Sequence, residues 1–143
     1  EERGHNSWHD LREEALNILQ RESELQQIVK LVGPDALPDD QRLTLETARL
    51  LRQGFLQQNA LHDVDAYAPI QKQIRMLRLM LHFHHRAERI IAKGCPITVL
   101  RALPVVNTIL RMKESVPRDE AERIEDIRQT LDEQMDDVEE DYA

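Results

Sequence analysis

Three groups of side chains in this sequence have the types and spacing that chemistry would need. His82, His84 and His85 lie on one helical stretch, with Glu88 after them. On a helix, His82, His85 and Glu88 would share a face at three-residue steps, which could seed a metal site. A zinc site needs three or four converging ligands, so the preferred reading is of ordinary histidines where a helix leaves the core. His62, Asp63 and Asp65 form a His-Asp-x-Asp group that could hold a cation or act as acid and base. Loop aspartates more often hold a turn through hydrogen bonds to nearby amides, and that reading is taken here. The third group is Gly33-Pro34-Asp35-Ala36-Leu37-Pro38-Asp39-Asp40, an acidic knuckle stiffened by two prolines.

The elements that must position these groups are helices. Between Trp8 and Val32, the residues Leu11, Ala15, Ile18, Leu25, Ile28, Val29 and Val32 recur at three- and four-residue steps on one face. Gly33 followed by Pro34 stops this helix. Pro38 can open a second helix, running to about residue 57, because its first turn needs no amide donor there. Asp39 and Asp40 then sit where the helix dipole favours negative charge. Leu43, Ala48, Leu51 and Phe55 mark its buried stripe, and Gly54 weakens its end by about 1 kcal/mol relative to Ala. The knuckle should therefore project from a helical hairpin. That placement suits a tip that touches another molecule rather than an active site.

After a loop over residues 58–68, Pro69 starts a third helix that ends at Gly94. Only Arg78 is polar between Met76 and Leu81, so neighbours should surround it on most sides. Pro96 and Pro104 punctuate two short helices, and a last helix runs from about Pro117 with Ile124, Ile127, Leu131 and Val138 as its apolar seam. From Pro117 onwards twelve Asp or Glu face three Arg, a net of −9; the whole chain carries −8, so the first 116 residues carry +1. That acidic face reads as solvated or as a docking strip for a basic partner, with the solvated face the usual case.

The fold class is all-α, one helical bundle over residues 8–143 behind a lead-in at 1–7 without periodicity. Its 143 residues suffice for one core. The net charge of −8 argues against non-specific binding to nucleic acid or anionic lipid. A lone Cys95 excludes an internal disulfide. No signal peptide or spanning segment is visible, and no direct membrane insertion is expected. There is no Gly-x-x-x-x-Gly-Lys-Ser/Thr phosphate loop, Gly-x-Gly-x-x-Gly, His-Glu-x-x-His or Cys-x-x-Cys. Without amides to cradle phosphates, the chain is not expected to hydrolyse a nucleotide alone. Composition by itself points to a free-standing acidic α-helical interaction module.

The strings LVGPDALP and FLQQNALHDVDAY, within a stretch running from ELQQIVK to that final Tyr67, resemble the C-terminal helical domain of the catalytic A subunit of archaeal- and vacuolar-type rotary ATPases. WHDLREEALNILQRESELQ and ALPVVNTILRMK extend the resemblance over roughly residues 8–113. The opening at Glu1 without Met reads as a processed product or a fragment, and the resemblance favours a fragment of a longer polypeptide whose upstream domain holds the phosphate loop and catalytic carboxylate. The parent would make or hydrolyse ATP with Mg at interfaces with a B subunit, coupled to proton or sodium transport. It would sit in the cytoplasm at the membrane periphery, while the isolated piece would be inactive, without cofactor, and able to exist as a monomer. The resemblance further implies that the knuckle meets the central rotor stalk, with Asp35, Asp39 and Asp40 facing basic residues and Leu37 and Pro38 adding contact. Leu61 stands where the family carries an aromatic that packs on adenine, so Leu61, with Gln58 nearby, is the candidate nucleotide contact. Gln53-Gly54 departs from the family's acidic pair, and His84 replaces a family aromatic.

Overall fold

The computed structural model describes residues 8–56 and 70–143, giving only the backbone for Phe55, Leu56, Ile70, Arg118 and Asp119. Six α-helices make up the described chain: α1 (Trp8–Val32), α2 (Asp39–Leu51), α3 (Ile70–Ala92), α4 (Ile97–Arg101), α5 (Pro104–Ser115) and α6 (Ile124–Asp141). A 3-10 turn (Pro34–Ala36) joins α1 to α2, a π turn (Arg52–Leu56) extends α2, and a 3-10 stretch (Arg118–Arg123) leads into α6. No strand occurs among the described residues.

Helix α3 is the axis. Met76, Leu77, Leu79, Met80, Leu81 and Phe83 are each at most 2% exposed, as the nearly unbroken apolar run required. Helices α1 and α2 pack on one side of it and α6 on another, while α5 fits between the π turn and α6. Each burial follows from the periodicity: Leu43, Ala48, Leu50 and Leu51 from α2, Val105, Val106, Ile109 and Met112 from α5, Ile124, Leu131 and Met135 from α6. Ile127 and Val138 pack at the margin of that core.

Glycine and proline set the boundaries. Gly94, at φ 109°, ends α3 in a Schellman arrangement in which the Cys95 and Gly94 amides donate to the Ile90 and Ile91 carbonyls. Gly54 is buried, and a methyl group there would come within 2.8 Å of the Met80 side-chain end and 3.6 Å of the α5 backbone. Its smallness lets the π turn approach α5, a packing role that helix propensity alone does not show. The second helix thus ends at Leu51, with a π turn replacing its expected last stretch.

Helices α4 and α5 begin after Pro96 and Leu103, whose side chains cap nothing. Other helices supply the missing partners. Asp39 Oδ2 accepts the Ile97 amide at 3.2 Å, and Gln134 Oε1 accepts the Val105 amide at 3.1 Å. At the far end of α5, Lys72 Nζ donates to the carbonyls of Lys113 (2.9 Å) and Val116 (2.5 Å). Lys72 is only 4% exposed, so this ammonium is a buried C-terminal cap placed where the helix dipole is negative.

Candidate functional site

The turn at residues 33–40 is formed as the prolines and Gly33 required. Gly33 has φ 88°, a region that side chains avoid, and its amide still donates to Val29 at 2.8 Å. The Ala36 and Leu37 amides close the 3-10 turn onto Gly33 and Pro34, and that turn packs back on α1. Pro38 sits in the cap position of α2, and its carbonyl accepts the Gln41 and Arg42 amides at 3.0 Å.

The five residues singled out at this turn separate into two sets. Asp35, Pro38 and Asp40 are exposed. Leu37 is 5% exposed and turned into the chain's own packing, so its side chain is not offered at the surface as an apolar contact. It staples the turn down instead. Asp39 is half-buried and engaged at home: besides capping α4 it lies 3.7 Å from Arg42.

A second departure concerns α1. Leu11, Ala15, Ile18 and Leu25 are buried, yet Ile28 (42%), Leu31 (85%) and Val32 (61%) are exposed. The apolar stripe keeps its helical spacing and Val29 is half-buried, but the described neighbours of α1 leave Ile28, Leu31 and Val32 uncovered.

The turn belongs to an end of the bundle where three other chain segments meet. Asp39 ties it to the start of α4. Burial pushes the Cys95 thiol up, with Asp39 adding to the effect, while the Tyr142 hydroxyl bonds to it. Lys93 Nζ meets Glu139 at 2.7 Å and holds that carboxyl below its usual range. The C-terminal turn of α6 therefore lies at the same end as the knuckle, with Asp137, Glu140 and Asp141 exposed.

The three histidines of α3 do not converge. His82 Nε2 meets Asp132 of α6 at 2.7 Å, His84 Nδ1 meets the Thr47 hydroxyl of α2 at 2.7 Å, and His85 Nε2 meets Glu14 of α1 at 2.5 Å. Each ties the axis to a different helix, the structural reading of the cluster. Among the described residues, side-chain atoms near enough to share a cation occur at His9, Asp10 and Glu13, where His9 and Glu13 are exposed. Thr47 and His84 have the separation of a hydroxyl nucleophile and its base. Thr47 is fully buried, so no substrate could reach it. Burial also lowers the His84 pKa, favouring the neutral ring.

Beside His82 runs an ionic ladder. Arg86 donates to Asp132 (2.9 Å), Asp136 (2.8 Å) and Glu139 (3.1 Å). Burial opposes charge on Asp132, but the bonds from His82 and Arg86 outweigh it and hold the carboxyl below its usual range. Burial likewise opposes the Arg86 charge, yet Asp136 and Asp132 raise its pKa. The ladder joins α3 to α6 along their shared length.

Leu61 and Gln58, the candidate adenine contacts, lie outside the described residues, as do His62, Asp63 and Asp65.

A family model for the C-terminal domain of V and A type ATP synthase matches residues 1–100. The A subunit of the A-type ATP synthase of Methanopyrus kandleri is 53% identical over 132 residues, which is 92% of this chain and 22% of that protein. The V-type ATP synthase alpha chain 2 of Clostridium tetani is 42% identical over 133 residues, 93% of this chain and 22% of its own length. The corresponding A subunit of the Pyrococcus abyssi A-type ATP synthase is 46% identical over 106 residues, 74% of this chain and 10% of that protein. The chain thus spans about a fifth of the first of these relatives.

Proposed function

This chain belongs to the family of C-terminal domains of V and A type ATP synthases, and on that footing we propose that it is the stalk-facing lever end of a nucleotide-driven rotary motor's catalytic polypeptide. In this reading the parent polypeptide binds ATP or ADP with Mg beside a B subunit, and makes or hydrolyses ATP as ions cross the membrane. The chain's own part is mechanical: the turn at residues 33–40 meets the central rotor stalk and passes force between the nucleotide state and rotation. It carries no phosphate loop and would be inactive alone. None of the described helices is long and apolar enough to cross a membrane. In this reading the catalytic head lies on the cytoplasmic face, peripheral to the membrane.

One observation carries this reading best. The turn exposes Asp35, Pro38 and Asp40 while Leu37 and Asp39 anchor it to the bundle, so it is braced rather than loose. A tip that transmits a push has to resist bending. Its exposed carboxylates would each add only about 0–1 kcal/mol to a contact, so shape matters more than ion pairs. The test is to replace residues 33–38 by a Gly-Ser loop in the parent polypeptide, then to assemble it with its partners. Loss of stalk retention, with ATP hydrolysis uncoupled from ion transport, supports the lever reading. Retention and coupling equal to the unaltered complex would refute it.

For the nucleotide, Leu61 and Gln58 remain the proposed adenine-side residues. An aliphatic Leu61 would keep only the apolar part of a contact that an aromatic makes by stacking, worth about 1–3 kcal/mol in full.

A further inference from the structure

The exposed carboxylates are not the only unused surface at the knuckle. Ile28, Leu31 and Val32 stand at i, i+3 and i+4, so they form one aliphatic patch on the last two turns of α1. Soluble surfaces tolerate single exposed aliphatics, but a contiguous group marks a contact site. Exposed carboxylates lie at the same end of the bundle. Asp35 and Asp40 are exposed in the turn and helix start that follow the patch, with no ion pair to either among the described residues. Asp137, Glu140 and Asp141 add negative charge from α6 at the same end, against Lys30 as the basic side chain of those α1 turns.

We propose that this aliphatic patch, rather than the carboxylates beside it, holds the partner at this end of the bundle. The partner surface is helical and presents an aliphatic strip flanked by lysine or arginine. This rests on the stalk-contact reading and specifies the chemistry that the stalk must present. The spacing of the patch fits side chains of a second helix laid across it, ridges into grooves. Exposed ion pairs are screened and add little to affinity, whereas covering three large aliphatic side chains removes apolar surface from water. The carboxylates at this end instead select a basic flank and speed encounter.

The experiment uses the full-length parent polypeptide built into the catalytic head, with purified central stalk as the probe. Three alterations are compared: Leu31→Gln with Val32→Gln, Asp35→Asn with Asp40→Asn, and the Gly-Ser loop at residues 33–38. Gln suits a helix, and both α1 positions are exposed, so heads should assemble unchanged. The Gln pair is expected to weaken stalk affinity about tenfold or more. The Asn pair should keep affinity within about threefold while slowing association and flattening its salt dependence. Normal affinity for the Gln pair, with weakened binding by the loop variant, overturns this inference alone. Normal affinity for both overturns the stalk reading as well. Heads that fail to assemble with the Gln pair before stalk is added would show the patch covered inside the parent, and would also overturn the proposal.

Discussion

Replacing Lys72 by Met should destabilise this domain more than any exposed charge change could. The Lys72 ammonium is 4% exposed and donates to two carbonyls, those of Lys113 and Val116, at 2.9 and 2.5 Å. Met keeps most of the stem's volume but leaves those carbonyls without this donor. Each unpaired buried carbonyl costs about 1–3 kcal/mol, and a hydrogen bond from a charged donor contributes about 1.5–3 kcal/mol. Removing a buried charge returns part of that loss, because the ammonium no longer has to be desolvated. The net expectation is about 2–4 kcal/mol. For a chain of 143 residues, roughly 3–4 °C per kcal/mol gives a fall in Tm of roughly 6–16 °C. Circular dichroism at helical wavelengths, with a urea titration beside it, would measure the change. Arg75→Met is the control on the same helix: Arg75 is 30% exposed and lies 3.7 Å from Glu125, so its loss should cost under about 1 kcal/mol. A Tm for the Lys72 variant within about 3 °C of the unaltered chain, or equal to the control, would refute the claim that this cap holds α5 in place.

Two further outcomes follow from the same geometry. Asp39→Ala removes the acceptor for the Ile97 amide and should cost about 1 kcal/mol, whereas Asp39→Asn keeps an acceptor oxygen and should lose less; thermal unfolding of the two side by side distinguishes capping from charge. His84 has a folded pKa below its ordinary 6.5, so its contribution is fully present above pH 6.5 and is lost as pH falls through the folded value. Asp132, lowered from 3.8, adds a second loss only below that pH. Stability measured across the acid range from neutral pH should therefore decline, and His84→Phe should flatten the upper part of that decline while leaving the loss below pH 3.8. An unchanged slope would mean that folding does not shift the His84 titration.

The helices and their breaks were legible because their causes are local. Apolar residues recurring at three and four steps placed α1, and the Gly33-Pro34 and Gly94-Cys95-Pro96 breaks placed its end and that of α3. The unbroken apolar run at 76–81 marked α3 as the axis before any contact was known. The strings that resemble rotary ATPase polypeptides pointed to the family to which the chain belongs. The candidate site was legible only as a turn. Ile28 and Val32 have the spacing of core residues, and periodicity says which side chains share a face, never whether another element reaches that face. Leu37 looked like a tip residue, but a turn that packs back on α1 buries it.

What the tertiary structure alone decided are the partnerships across distance. Lys72 closing α5, Asp39 and Gln134 opening α4 and α5, and three adjacent histidines reaching three different helices all join residues 29 to 71 positions apart. The placing of the knuckle and the acidic end of α6 at one end of the bundle, on either side of Cys95, belongs with them. Amino-acid sequence by itself determined the class, the order of the helices and the family, because backbone preference and apolar spacing act within a few residues; the end of α2 at Leu51 and the start of α6 at Ile124, not near Pro117, came from the structure. Which polar group answers which orphaned helix end depends on packing angles between helices, and those exist only once the core has closed.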